Sequence, residues 1–90
     1  MKIEQEKTLI SLKKDQSLIA KIIQMMEKED YCIDVMQQNL AAIGLLKSAH
    51  QMMMEDHLHT CFKSAMKTSN EKKKDEMIEE ILKVIKIYNK

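Results

Sequence analysis

The stretch Tyr31–Cys61, YCIDVMQQNLAAIGLLKSAHQMMMEDHLHTC, holds no proline and one glycine, Gly44. Its Leu, Met, Ala, Gln and Lys residues are good helix formers. Gly44 costs about 1 kcal/mol relative to alanine inside a helix, too little to end a helix of this composition. The pattern therefore predicts one long helix over residues 31–67. Upstream, Lys28-Glu29-Asp30 interrupts the apolar pattern, and Asp30 is suited to cap the next helix by accepting from its first free amides. Before that break, Leu9, Leu12, Ile19, Ile22, Ile23 and Met26 recur largely at three- and four-residue spacing, which predicts a helix over about 5–28. Downstream, Thr68-Ser69-Asn70-Glu71 offers capping residues, with Thr68 and Glu71 spaced as a capping box. A third helix over 71–88 follows, with Met77, Ile78, Ile81, Leu82, Ile85 and Tyr88 along one side. Lys72–Lys74 opens that helix as a solvated run that opposes the helix dipole.

The whole chain of 90 residues has no proline, one glycine and 44% hydrophobic residues. Tight hairpin turns have almost nothing to be built from, so the fold class expected is all-α, a single domain over 1–90. A helix of more than thirty residues cannot bury a broad apolar face against one partner helix and a short third one. Pairing of two copies into an antiparallel four-helix-bundle dimer resolves that burial problem.

Fifteen basic residues stand against fourteen acidic ones, a net charge of +1. Every basic residue is lysine, which lacks the planar fork with which arginine reads guanine and grips phosphate. The N-terminus offers no uninterrupted apolar segment and no run approaches a membrane span, so a cytoplasmic protein is expected. In that reducing compartment Cys32 and Cys61 are read as ligands, reactive thiols or core residues rather than as a disulfide. With no Gly-rich phosphate loop and no Ser/His/acid arrangement on one face, an enzyme is not expected.

His57 and Cys61 lie four residues apart in EDHLHTC, which places imidazole and thiol on one helical face, one turn from each other. Cys32 lies 25 residues before His57, roughly 37 Å along a continuous helix, and cannot reach the His57 of its own chain. In an antiparallel dimer the start of one long helix lies beside the end of the other, so Cys32 of one copy can join His57 and Cys61 of its partner, twice by symmetry. Two thiolates and one imidazole suit three-coordinate Cu(I), whereas zinc favours a fourth ligand. Free cysteines are also common core residues, and spacing alone leaves packing as the alternative. His50, about 10 Å before His57, and His59, on another face, read as surface residues, and Met52–Met54 as packing.

Tyr31-Cys32-x-Asp34-Val35, Gln38, Ala41, Glu55-x-His57-x3-Cys61 and Ile78-Glu79-Glu80 together resemble the copper-sensitive operon repressor family, without a gap from about Met25 to Cys61. The resemblance implies three-helix protomers assembled as dimers of dimers, with Cu(I) held by Cys32, His57 and Cys61 and operator DNA released when it binds. It implies Tyr31 and a helix 3 glutamate, Glu80 in preference to Glu76, as partners that orient the ligand histidine. His57 sets the chain apart from the family's sulfur-sensing branch, and the lack of any histidine before His50 sets it apart from the nickel and cobalt branch. The chain departs from the family where arginines of the DNA face are usual, with Leu40 and Ile43 standing there instead. Lys7, Lys14, Lys21 and Lys28, spaced by heptads along the first helix, are the remaining candidates for phosphate contact, and a solvated face is the plainer reading of such a row. Two further readings stay open. One is a copper buffer or carrier that no longer binds DNA, and the other is a thiol-based sulfur sensor acting through Cys32 and Cys61.

Overall fold

The computed structural model describes residues 3–90, and among these its regular structure is all helical, without a strand. Helix α1 spans Ile3–Glu27 and α2 spans Cys32–His57, followed by a π-helical turn, Leu58–Phe62, then α3, Lys63–Met66, and α4, Glu71–Tyr88. The described residues divide into two compact units, with the division between Asp56 and His57. No helix among them is long and apolar enough to cross a membrane.

In the first unit, α1 ends in a left-handed turn. Asp30 N donates to Met25 O at 2.9 Å and Glu29 N to Met26 O at 3.0 Å, with Glu29 at φ 59°. This is a Schellman cap, in which glycine usually takes the left-handed position because it has no Cβ to clash. With glutamate there, the turn carries strain on the order of 1 kcal/mol. Glu29→Gly is accordingly expected to raise the unfolding free energy by about 0.5–1 kcal/mol, read as a higher denaturant midpoint with an unchanged m-value. A lower midpoint would show that the Glu29 side chain contributes more than its backbone costs. Asp30 does not begin α2 as expected. The first helical bond runs from Val35 N to Tyr31 O at 3.2 Å, so the cap position falls on Tyr31, because the left-handed Glu29 and the bond to Met25 O tie Asp30 to the end of α1.

α1 and α2 pack as a hairpin whose seam alternates three- and four-residue steps. Its least exposed positions are Thr8, Ser11, Asp15, Leu18, Ile22 and Met25 on α1, and Val35, Gln38, Ala42, Leu45, Ala49, Met52 and Asp56 on α2. Apart from Ile22, its fully buried positions are small or polar, namely Thr8, Ser11, Asp15, Ala42, Ala49 and Asp56, and the Ser11 hydroxyl donates to Leu45 O at 3.3 Å. Further bulky side chains lie beside the seam. On α1 these are Leu9, Ile19, Ile23 and Met26, and on α2 Met36, Ile43, Leu46 and Met53, all between 38% and 64% exposed. By heptad arithmetic all eight fall on the same flank of the hairpin. Being already about half covered, each stands to gain about 1 kcal/mol on full burial, and together they form an apolar surface that a single protomer leaves uncovered.

In the second unit, α3 packs against the π-helical turn and against α4, and Ala65 of α3 is buried. The capping box expected from Thr68 to Glu71 does not form. The Thr68 hydroxyl donates back to Ala65 O at 2.9 Å, while Asn70 caps α4 by accepting from Lys73 N through Oδ1 at 3.2 Å. Asparagine is at least as good a cap as threonine, and it stands immediately before the first helical residue. Within the lysine run, Lys74 Nζ pairs with Glu71 Oε1 at 3.2 Å, which partly offsets the unfavourable charge at this helix start.

Candidate metal centre

The helix expected over 31–67 keeps its helical path but changes its hydrogen-bond register where the candidate ligands lie. His57, Phe62 and Lys63 all have right-handed helical angles, yet Leu58–Phe62 is π-helical. A π turn takes in about one residue more than an α turn, and such turns recur at functional sites. Composition gives no signal for it, because every residue of LHTCF is compatible with an α-helix.

His57 is the last residue of α2 and Cys61 lies inside the π turn. Residues four apart share a face in either geometry, since the offset is less than about half a right angle in both. Both cysteines are free and exposed, and His57 is half-buried. The Thr60 hydroxyl donates to Cys61 Sγ at 3.7 Å, a weak contact that orients the sulfur. Cys32 begins α2 at the end opposite His57, about 37 Å away at 1.5 Å per residue. Among the described residues no three His, Cys, Asp or Glu side chains gather into a metal-holding group. The protomer thus presents a two-donor chelate and, separately, a lone thiol.

The other candidates are placed as follows. Tyr31 is 67% exposed at the start of α2. Glu80 is exposed on α4 and lines an open acidic groove with Lys72, Asp75, Glu76 and Glu79. Lys7, Lys14, Lys21 and Lys28 are all exposed, on the flank of the α1 seam away from the apolar surface. Leu40 and Ile43 are exposed, at 66% and 41%. His50, read from the sequence as a surface residue, is half-buried and lies on the apolar flank of α2. Asp15 escaped the sequence reading altogether. Its place midway between Thr8 and Ile22, seven residues from each, was the available signal that it sits in the seam.

The model of the metal-sensitive transcriptional repressor family matches residues 4–87. The chain belongs to that family. Among its relatives, the copper-sensing transcriptional repressor CsoR of Bacillus subtilis (strain 168) is 31% identical over 87 residues, covering 97% of this chain and 83% of that protein. The CsoR of Mycobacterium ulcerans (strain Agy99) is 44% identical over 45 residues, half of this chain, and the match spans 38% of that protein's length. The crystal structure of the copper-sensing repressor CsoR with Cu(I) from Geobacillus thermodenitrificans NG80-2 superimposes with a TM-score of 0.87 at 27% identity, over 100% of this chain and 91% of that one. The all-helical fold expected from the sequence is therefore that of the repressor family, and the family's members are regulators rather than enzymes.

Proposed function

We propose that this repressor-family chain is a cytoplasmic Cu(I) sensor that binds operator DNA in the metal-free state and releases it when Cu(I) occupies a site made of Cys32 from one copy and His57 and Cys61 from another. The observation that carries this reading is the division of the donors. The imidazole and one thiol share a helical face at the π turn, and the second thiol stands at the far end of the same helix, as an antiparallel pair of chains requires. The apolar flank of the α1–α2 hairpin supplies the force for pairing, and two such dimers joined as a tetramer complete the assembly. Cu(I) supplies a soft cation that draws two thiolates and an imidazole into one coordination plane. Tyr31 and Glu80 act as positioning residues for the His57 ring. Lys7, Lys14, Lys21 and Lys28, on the face turned away from the apolar flank, supply the phosphate contacts.

The exposed Leu40 and Ile43, together with the lack of any arginine, favour one alternative, a copper-binding protein that holds the metal without binding DNA. Anisotropy titration of the DNA upstream of the gene, with and without Cu(I), separates the two. The sensor reading expects binding that Cu(I) releases and Ni(II) or Co(II) at equal concentration does not, with copper absorption edges typical of three-coordinate Cu(I). The carrier reading expects the same metal site and no specific complex. Preferential four- or six-coordinate Ni(II) binding would overturn the copper assignment in both.

A further inference from the structure

The apolar flank of the α1–α2 hairpin changes character along its length. Its branched residues are Leu9, Leu12, Ile19 and Ile23 on α1 and Ile43 and Leu46 on α2, whereas Met26 closes the α1 row and Met36 and Met53 stand at the two ends of the α2 row. Met36 lies one turn after Cys32, and Met53 one turn before His57. Packing alone would accept methionine anywhere along this flank, yet it occurs where a proposed copper donor is one turn away.

Met26 belongs to the Cys32 end as well. Leu12 and Leu46 line one groove, which fixes how the two rows of the flank face each other. Two heptads further along α1 and two heptads back along α2, the same pairing falls on Met26 and Cys32. Cys32 is exposed, and Met26 and Met36 are 64% and 52% exposed. Met36 shares a helical face with Cys32, about 6 Å away between Cβ atoms, and the flexible methionine side chain lets either thioether swing towards the thiol. Among the described residues no cluster of His, Cys, Asp or Glu includes Cys32, so the donors beside it are sulfurs.

We propose that Cys32, Met26 and Met36 form a Cu(I) docking site within one chain, from which the metal passes to the site shared with the partner. One thiolate and two thioethers are an all-sulfur set that selects Cu(I) over harder cations. Cys32 is common to both sites, so the ion can change partners without leaving the chain. The thioethers of Met26 and Met36 are exchanged for the imidazole of the partner's His57 and the thiolate of the partner's Cys61, which gives its proton to solvent. No electron is transferred, and copper remains Cu(I). The hand-over rests on the shared-site reading, whereas the docking site needs one chain only.

The test uses full-length His57→Ala/Cys61→Ala protein, which keeps Cys32 and both methionines, titrated with Cu(I) against a competing chelator. It should bind one Cu(I) per chain, with sulfur neighbours and no nitrogen in its X-ray absorption spectrum. Adding Met26→Leu/Met36→Leu should weaken that binding by at least about tenfold, the low end for losing even a residue that only orients a ligand. Leucine matches methionine in volume and apolar character, so circular dichroism and the oligomeric mass should not change. With His57 and Cys61 intact, the same two substitutions should leave two Cu(I) per dimer at equilibrium and slow loading several-fold in stopped flow. Affinity that the methionine substitutions do not alter overturns the docking site, as does a nitrogen neighbour in its spectrum. An unaltered loading rate overturns the hand-over. Mixing Cys32→Ala chains with His57→Ala/Cys61→Ala chains tests the shared site separately. Recovery of a tight site without any methionine effect refutes the docking site alone, and a methionine effect without recovery refutes the shared site and the hand-over with it.

Discussion

Mixing Cys32→Ala chains with His57→Ala/Cys61→Ala chains should regenerate one tight Cu(I) site per heterodimer, while either variant by itself binds Cu(I) at least about 100-fold more weakly than the original protein. The bound follows from ligand chemistry. Losing a residue that only orients a ligand already costs about 10–100-fold in metal affinity, and here a thiolate donor itself is lost. The recovery follows from geometry, because about 37 Å of helix separates Cys32 from His57 of the same chain. In the heterodimer one corner carries both defects and the other carries none. Titration with a competing Cu(I) chelator should therefore give one tight equivalent per heterodimer, against two for the original dimer. No recovery in the mixture, with heterodimer formation verified by mass, would rule out a site shared between chains.

DNA affinity should fall by about a thousandfold or more between 50 and 200 mM salt, and the slope should flatten when Lys7, Lys14, Lys21 and Lys28 are changed to glutamine. A lysine that neutralises a phosphate releases condensed counterions, and each such contact contributes about −0.9 to the slope of log affinity against log salt. With no arginine in the chain, bidentate reading of guanine is absent, and the electrostatic contribution dominates. Operator binding should thus weaken steeply with salt, and its selectivity should not come from bidentate contacts to guanine. Replacing Leu40 and Ile43 singly with arginine gives a second readout. Both side chains are exposed in the protomer, so the protomer pays no burial cost for the charges. Because Ile43 lies on the flank assigned to pairing, Ile43→Arg should weaken assembly, whereas Leu40→Arg should strengthen DNA binding with assembly unchanged if its face is open to DNA. Salt-insensitive, selective binding by the original protein would show that contacts other than these lysines carry the affinity.

The elements of this fold were legible because helices are local objects. Composition, capping residues and apolar spacing placed α1 and α4 within a few residues of their observed ends. The errors lie where two local solutions compete at similar energy. Thr68 and Asn70 are both good caps, and only the approach of the chain from α3 decides that Asn70 takes the role while Thr68 bonds back to Ala65. Likewise, Asp30 is a good cap residue, but the left-handed Glu29 moves the start of α2 onward. The π turn was illegible for a different reason. Its cost and gain depend on how α3 must pack, which no single residue of LHTCF declares.

The candidate site divides in the same way. The sequence by itself determined the donor chemistry, since two soft thiols and an imidazole suit Cu(I) whatever the fold, and the spacing of His57 and Cys61 put two of them on one face. It also determined that the third donor could not come from the same stretch of helix, because helical rise converts 25 residues directly into distance. What only the tertiary structure decided is which side chains the α1–α2 seam buries. Of Leu9, Ile19, Ile22, Ile23 and Met26 in the hydrophobic pattern, only Ile22 lies in the seam, beside Thr8, Ser11, Asp15, Ala42 and Ala49, and the others flank it. Close backbone approach favours small side chains and leaves bulky ones on the rim. That preference belongs to the packing of two helices against each other and cannot be read from either one alone.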